Sequence, residues 1–490
     1  MTTNALPIAV IGAGPVGLAA AAHLVERGET PVILEAGDRI GATVRQWGHV
    51  RVFSPWRYNV DPTAAAMLAA TGWTMPDPEH LPTGRELVTE YLEPLGVLPG
   101  IRPHLRLGTR VVRVSRRGFD KLRTDGRDAA PFVLRTLTPA GEEGELVARA
   151  VIDASGTYGL PNPLGADGLP ARGEATVRDR VFYGIPAALG AERSRYAGRR
   201  VAVVGSGHSA LNTLLDLVEL RPAARITWIV RRPLGARVLG GGAADALPAR
   251  GALGESARRL LDRGRVTLVV GRVHALARAG SDVTIVDDAG AVLATVDEVV
   301  AVTGFRPDLD PLRELRLDLD PSLEAPRALA PLIDPNVHSC GTVPPHGVAE
   351  LTQPEPGFYV VGMKSYGRAP TFLLLTGYEQ VRSVVAALAG DWEAARDVRL
   401  TLPATGVCSA QPAGVTAGGA SAFETAASCC GGPAPASVDA CCAADAEAKA
   451  VGQEGCGCDS AGHEPAAAAS RPAALLTIGA SAPAAGCCRP

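Results

Sequence analysis

The chain alternates short apolar runs with glycine-rich turns and with stretches of helical spacing. In residues 7–36 an apolar run (Ile8, Ala9, Val10, Ile11) leads into a glycine-rich turn, an alanine-rich helical stretch and a second apolar run (Val32, Ile33, Leu34). Continuous apolar runs of this length, bounded by turns, are expected of buried parallel strands, so the segment predicts a βαβ unit. The same order returns in residues 200–232, with apolar positions 201–204, a turn at 205–210, a helical stretch to Leu220 and apolar positions 226–230.

Each unit is followed by short strand signals and hairpin turns. After the first these are residues 110–114, 132–137 and 146–152, with a turn at 139–144; after the second, 266–270, 283–286 and 292–296, with turns near Gly280 and Gly290. Both meanders close on a similar apolar strand and glycine: Val151-Ile152-Asp153-Ala154-Ser155-Gly156, then Val299-Val300-Ala301-Val302-Thr303-Gly304. A third such strand, at 358–361, precedes a helical pattern over 371–388 and needs a sheet to join. Returning it to the first domain makes the second an insertion. The expectation is an α/β fold with two Rossmann-like three-layer domains. Residues 1–197 and 327–402 form the first, 198–326 the inserted second, and 403–490 a flexible cysteine-rich tail with little periodicity.

Composition narrows the function. The 490 residues carry a formal net charge of -3 with neither sign dominating a long stretch, which gives no footprint for nucleic acid or a membrane surface. The apolar stretch 7–25 has no Lys or Arg before it and is broken by Gly12, Gly14, Pro15 and Gly17, unlike a signal peptide. No other stretch reaches the roughly 18 apolar residues of a membrane span. The expected location is the cytoplasm. Of the 10 cysteines only Cys340 precedes Cys408, so the body is cysteine-poor and no disulfide framework is implied.

Gly12, Gly14 and Gly17, with Ala13 and Pro15 between them, form G-x-G-x-x-G after a strand and at the start of a helix, and Glu35 ends the next strand about 20 residues on. The first glycine permits the turn, the second lets backbone approach a pyrophosphate, and the third lets helix and strand pack closely. The helix N-terminus favours the phosphate charge, and Glu35 can hold ribose hydroxyls. Gly205, Ser206, Gly207, His208, Ser209 and Ala210 form a second turn of this kind. Where the first copy has Glu35, the second has Arg231 and Arg232, which suit a 2′-phosphate, so this site should prefer NADPH to NADH.

The two-copy layout, carried by residues 12–17, Glu35, Ala154-Ser155-Gly156, residues 205–210 and Thr303-Gly304, resembles the two-dinucleotide-domain flavoproteins. That superfamily includes flavin-containing monooxygenases, thioredoxin reductases and mercuric reductase. The resemblance implies FAD in the first domain, held by the first turn, Glu35, Val112, Ser155, Gly156, Gly362 and Met363, and NADPH in the inserted one. No C-x-x-C or C-x-x-x-x-C stands in either FAD half, which the disulfide reductases require. Arg45-Gln46-Trp47 and Phe53-Ser54-Pro55-Trp56 look like the aromatic stretch of flavin monooxygenases, as flavin-pocket wall or as ordinary core. Of the F-x-G-x-x-x-H pattern, Phe182 and Gly184 are kept and Ala188 replaces the histidine.

A closer likeness is to the flavin-binding monooxygenases encoded beside bacterial arsenic-resistance genes. It rests on the run from Gly362 to Phe372, with Gly362-Met363-Lys364-Ser365-Tyr366-Gly367-Arg368 at its head, on Thr376-Gly377-Tyr378-Glu379-Gln380, and on the tail. It implies NADPH-driven, FAD-dependent oxygenation of a soft nucleophile, a trivalent arsenical among the candidates, with dioxygen as co-substrate. Arg368 and Tyr366 are candidates for contact with flavin or substrate.

Cys429-Cys430, Cys441-Cys442, Cys456-x-Cys458 and Cys487-Cys488 give paired thiols suited to a soft metal or metalloid. Two alternatives stay open. One is a reductase in which these pairs carry metal or electrons to the flavin; the other is a sequestering tail separable from catalysis. A homodimer is an open alternative to a monomer.

Overall fold

The computed structural model describes residues 6–239, 247–335, 343–370 and 372–400. Its strands are β1 (Ile8–Ile11), β2 (Pro31–Leu34), β3 (Leu105–Arg106), β4 (Arg110–Arg116), β5 (Phe132–Leu137), β6 (Glu143–Ala148), β7 (Ala150–Asp153) and β8 (Val181–Tyr183). They continue with β9 (Arg200–Val204), β10 (Arg225–Val230), β11 (Val266–Val270), β12 (Ala275–Ala279), β13 (Asp282–Val286), β14 (Val292–Val296), β15 (Glu298–Ala301) and β16 (Phe358–Val360).

All four residues of β1, of β2 and of β7 are buried, as expected of parallel strands covered on both faces. They lie in a parallel sheet of order β16-β7-β1-β2-β3, with Ile8 opposite both Pro31 and Ala150. A second parallel sheet has the order β11-β10-β9-β15-β8. The antiparallel meanders β4-β5-β6 and β12-β13-β14 accompany them. Both doubly wound sheets thus place their strand C-termini beside a glycine turn, the position at which this architecture binds ligands.

The helix Pro15–Glu26 starts on Pro15, whose missing N–H costs nothing there, and Ala19, Ala20, Ala21 and Ala22 are fully buried. Small side chains all round let it sit between the first sheet and the helix Leu374–Leu388. A Cβ on Gly377 of that second helix would stand 2.6 Å from Val16 Cγ2, so glycine permits the approach.

Several expectations need correction. Residues 146–152 are not one strand: β6 ends at Ala148 and β7 begins at Ala150 in another sheet. Arg149 makes the break, its N–H bonded to Pro7 O (2.9 Å) and its guanidinium paired with Glu29. The helix expected from 371 begins at Leu374. β12 and the helix Pro248–Asp262 were not expected, because their sequences are rich in Ala, Arg and Gly and carry no continuous apolar run. β8 joins the second sheet although it precedes residue 198, and Leu312 and Leu315 pack with the first sheet although they precede 327. The chain therefore crosses between the sheets nearer to each than the sequence pattern suggests.

Glu355 ties these crossings together. Its buried carboxylate accepts from Arg127 Nη1 (2.6 Å) and Arg116 Nε (2.7 Å), and from the N–H of Arg316 (3.0 Å). Burial alone would raise its pKa, but the Arg316 N–H and the two guanidiniums outweigh burial and hold it below the usual carboxylate range.

Candidate functional site

The first glycine turn follows β1 directly. Gly12 has φ +102°, and a Cβ there would lie 2.9 Å from Ala154 O, so the turn is fitted against the end of β7. On Gly17 a Cβ would stand 2.0 Å from Gly12 O, which is the close helix–strand packing expected of the third glycine. On Gly14 it would meet nothing within 4 Å. The second glycine thus faces open space at the N-terminus of the helix Pro15–Glu26, and the cradle fits a pyrophosphate.

Glu35 lies at the end of β2. Its Oε2 accepts from the Ala13 N–H (2.7 Å) and its Oε1 from the Gly37 N–H (2.8 Å). These bonds orient the carboxylate and leave lone pairs for ribose hydroxyls. Beside it, the Thr109 N–H donates to Glu35 O (2.7 Å), and Val112 is the residue skipped by the β4–β5 ladder where the register shifts. Gly362, at φ +67°, brings the chain after β16 against Val16, and its N–H donates to Gln380 Oε1 (2.7 Å). Gln380 Nε2 in turn meets His346 Nε2 at 2.9 Å, while His346 Nδ1 bonds Pro344 O at 3.0 Å. Burial holds the His346 pKa below its ordinary value, so the ring is neutral and its Nε2 accepts from Gln380.

Sequence reasoning passed over a charged pair at this edge. Lys364 Nζ lies 2.7 Å from Asp153 Oδ2 and 3.0 Å from Ser155 Oγ, and the Ser155 hydroxyl donates to Asp153 Oδ1 (2.6 Å). Asp153 closing an otherwise apolar strand was the available signal. Met363 is half-buried beside it, and Gly156 turns the chain at φ +70°.

The second turn repeats the design. Gly205 has φ +135° and a Cβ there would lie 2.3 Å from Val302 O, whereas Gly207 faces open space before the helix His208–Glu219. Trp228 Nε1 donates to Gly205 O (2.7 Å) and fixes the turn. Ser206 is exposed beside Gly207. Arg231 and Arg232 lie exposed just past β10, and among the described residues neither is paired with a carboxylate.

The aromatic stretch divides between the two roles left open for it. Trp56 is fully buried core, Trp47 lines a cavity, and Phe53 packs on His208 with 5.3 Å between ring centroids. The cavity, of about 230 Å³, is bounded by Trp47 and Val50 of the first domain and by Ser209, Val302 and Phe305 of the second, with Tyr158 and Gly184 between. Tyr158 stacks on Phe305 with ring centroids 4.5 Å apart. Burial, with the Glu192 carboxylate adding to it, pushes the Tyr158 pKa up, so its hydroxyl is a donor at neutral pH. Ala188, in place of the family histidine, is buried in the core of the second domain.

Tyr366 and Arg368 each have protein partners. Tyr366 is core, edge-on to Phe372 (5.2 Å) and packed on His346 (5.8 Å), and Arg368 pairs with Glu324 at 3.2 Å. Cys340 and the tail cysteines 429, 430, 441, 442, 456, 458, 487 and 488 lie outside the described residues. No group of three or more metal-ligating side chains occurs among the described residues, and no helix there is long and apolar enough to cross a membrane.

Comparison with known proteins agrees with this geometry. Residues 7–77 match the family model of FAD dependent oxidoreductases, and residues 104–237 that of L-lysine 6-monooxygenase/L-ornithine 5-monooxygenase. An indole-3-pyruvate monooxygenase, YUCCA1 of Oryza sativa subsp. japonica, is 28% identical over 228 residues, covering 45% of this chain and 47% of that one. A Baeyer-Villiger monooxygenase of Streptomyces coelicolor is 30% identical over 236 residues, covering 46% and 38%. The chain spans under half the length of these two relatives.

Among solved structures, the bacillithiol disulfide reductase of Bacillus cereus superposes with a TM-score of 0.56 at 19% identity, covering 79% of this chain and 99% of that one. The FAD-bound cadaverine monooxygenase DfoA of Erwinia amylovora gives 0.52 at 16%, covering 82% and 99%. The fold is that of the FAD/NAD(P)-binding oxidoreductases. Within that fold, residues 7–77 and 104–237 are the stretches that match flavin-dependent families.

Proposed function

We propose that the protein is an NADPH-using, FAD-dependent monooxygenase whose acceptor is a soft nucleophile, with trivalent arsenicals as the leading candidates. The observation that carries this reading is the cavity beside the second glycine turn, lined by Ser209 and walled by Trp47, Tyr158, Phe305 and Val302. Among the described residues its wall carries no thiol to accept electrons. A mainly apolar cavity suits oxygen transfer, which needs a dry site, better than dithiol exchange, which does not.

Residues 12–17 and Glu35 would hold FAD, with the adenosine end toward Val112 and the flavin end toward Gly362. Residues 205–209 would hold the NADPH pyrophosphate and Arg231 and Arg232 its 2′-phosphate. When bound, FAD supplies the chemistry, taking hydride from NADPH and passing electron density to dioxygen. The chain orients both cofactors, shields the cavity from water and offers the Tyr158 hydroxyl as a donor to the acceptor. We place the protein in the cytoplasm, with the paired tail thiols recruiting the metalloid.

The test is an oxygen electrode with purified protein, NADPH and a panel of trivalent arsenicals and organosulfur compounds. Stoichiometric oxygen uptake with an oxygenated product supports the reading. Turnover that persists under strict anaerobiosis replaces it with the reductase. Truncation after Leu402 that abolishes metalloid binding and leaves NADPH oxidation and its response to arsenite unchanged makes the tail a separate sequestering module.

A further inference from the structure

β7 and β16 are parallel neighbours, with Val360 opposite Asp153. Asp153 at the end of one and Lys364 just beyond the other therefore emerge together at the C-terminal edge of the first sheet. The first glycine turn lies on the same edge, since Gly12 is fitted against Ala154 O. The pair is withdrawn from water, with side-chain exposures of 3% for Lys364 and 1% for Asp153. A buried ion pair stabilises a fold poorly, because desolvating both charges offsets their attraction and an apolar pair of the same volume does as well. Its presence at this spot asks for another reason.

The hydrogen bonds supply one. The Ser155 N–H (3.1 Å) and hydroxyl (2.6 Å) both donate to Asp153 Oδ1, and the same hydroxyl accepts from Lys364 Nζ (3.0 Å). Ser155 is thereby fixed from two sides, and with it the turn Ala154-Ser155-Gly156 that faces the first cradle. An ammonium has three donors. Asp153 and Ser155 take two, and the third has no acceptor among the described residues.

We propose that Lys364 is a positioning residue for the FAD of the first site. Through Asp153 it holds the strand-end turn in the shape the dinucleotide meets, and its remaining N–H is kept for the cofactor. This rests on the reading that the first cradle takes FAD.

The test uses holoenzyme purified with added FAD, following FAD release by the recovery of flavin fluorescence on dilution and global unfolding by tryptophan fluorescence. Lys364→Met is expected to speed FAD release at least about thirtyfold, the loss produced by removing one partner of a buried charge pair, and to shift the flavin absorption bands. Lys364→Arg should restore part of the retention. The double variant Lys364→Met with Asp153→Leu removes both buried charges and should recover the unfolding temperature without recovering FAD retention. Wild-type FAD retention in the double variant would overturn the proposal, because the pair would then be only a staple of the fold. A wild-type protein that neither retains nor rebinds FAD would instead overturn the assignment of the first cradle, and this inference with it.

Discussion

The ring of Phe53, from the loop after the first βαβ unit, lies 5.3 Å from the ring of His208, which opens the helix behind the second glycine turn. The Arg250 guanidinium lies over the same Phe53 ring at 5.8 Å. An aromatic side chain from the loop after the first βαβ unit thus packs on the start of the helix behind the second glycine turn. This contact joins the segment after the first βαβ unit to the second glycine turn.

Phe53→Ala should therefore slow flavin reduction by NADPH without releasing FAD. An aromatic pair contributes about 0.5–1.5 kcal/mol beyond area, so the reduction rate should fall by about two- to thirteenfold. Anaerobic stopped-flow at the flavin band measures it. An unchanged or faster rate would show that the ring contact does not align the domains.

The glycines of each turn should separate by role. Gly205→Ala sets a Cβ 2.3 Å from Val302 O at φ +135° and should destabilise the protein by about 1–3 kcal/mol. Gly14→Ala and Gly207→Ala meet open space and should fold normally while binding their dinucleotides weakly. Urea denaturation and cofactor titration of the three variants distinguish these outcomes.

Replacing Arg231 and Arg232 by Ala should erase the preference for NADPH. A charged hydrogen bond contributes about 1.5–3 kcal/mol, so the ratio of kcat/KM for NADPH over NADH should drop by about ten- to 150-fold. KM for NADH should barely move. An unchanged ratio would make the two arginines solvated strand-end residues.

Glu355 should govern acid stability. Removing it leaves Arg116 and Arg127 buried without their anion, and Glu355→Ala should cost about 3–5 kcal/mol. Its folded pKa is depressed, so its contribution is present above about pH 4.3 and is lost as pH falls through the folded value. His346, also depressed, contributes stability above about pH 6.5 that is lost as pH falls through its folded pKa. Urea midpoints across pH 7 to 2 should fall for the wild type, and the part of that fall below about pH 4.3 should vanish in Glu355→Ala.

Both βαβ units were legible in the sequence because apolar runs such as 8–11 and 201–204 are buried on both faces, and the glycine turns because Gly12, Gly17 and Gly205 answer local steric demands while Gly14 and Gly207 keep the space before a helix open. The break at Arg149 was not legible, since its cause is a long-range pair with Glu29. Lys364, Gln380 and His346 were missed for the same reason: their meaning comes from partners separated by 211 residues in one case and 34 in the other. Tyr366 and Arg368 drew notice as polar groups in an uncommon string, yet packing on Phe372 and pairing with Glu324 absorb them. Trp47, Tyr158 and Phe305 meet only when the two domains do.

The central claim is that the two glycine turns hold FAD and NADPH in one chain, so that hydride passes from NADPH to FAD. Anaerobic mixing of the FAD-loaded protein with NADPH, watched at the flavin absorption band, tests it most directly. Rapid bleaching, restored on admitting oxygen, is the predicted result; a protein that binds no flavin, or whose flavin stays oxidised under saturating NADPH, would contradict it.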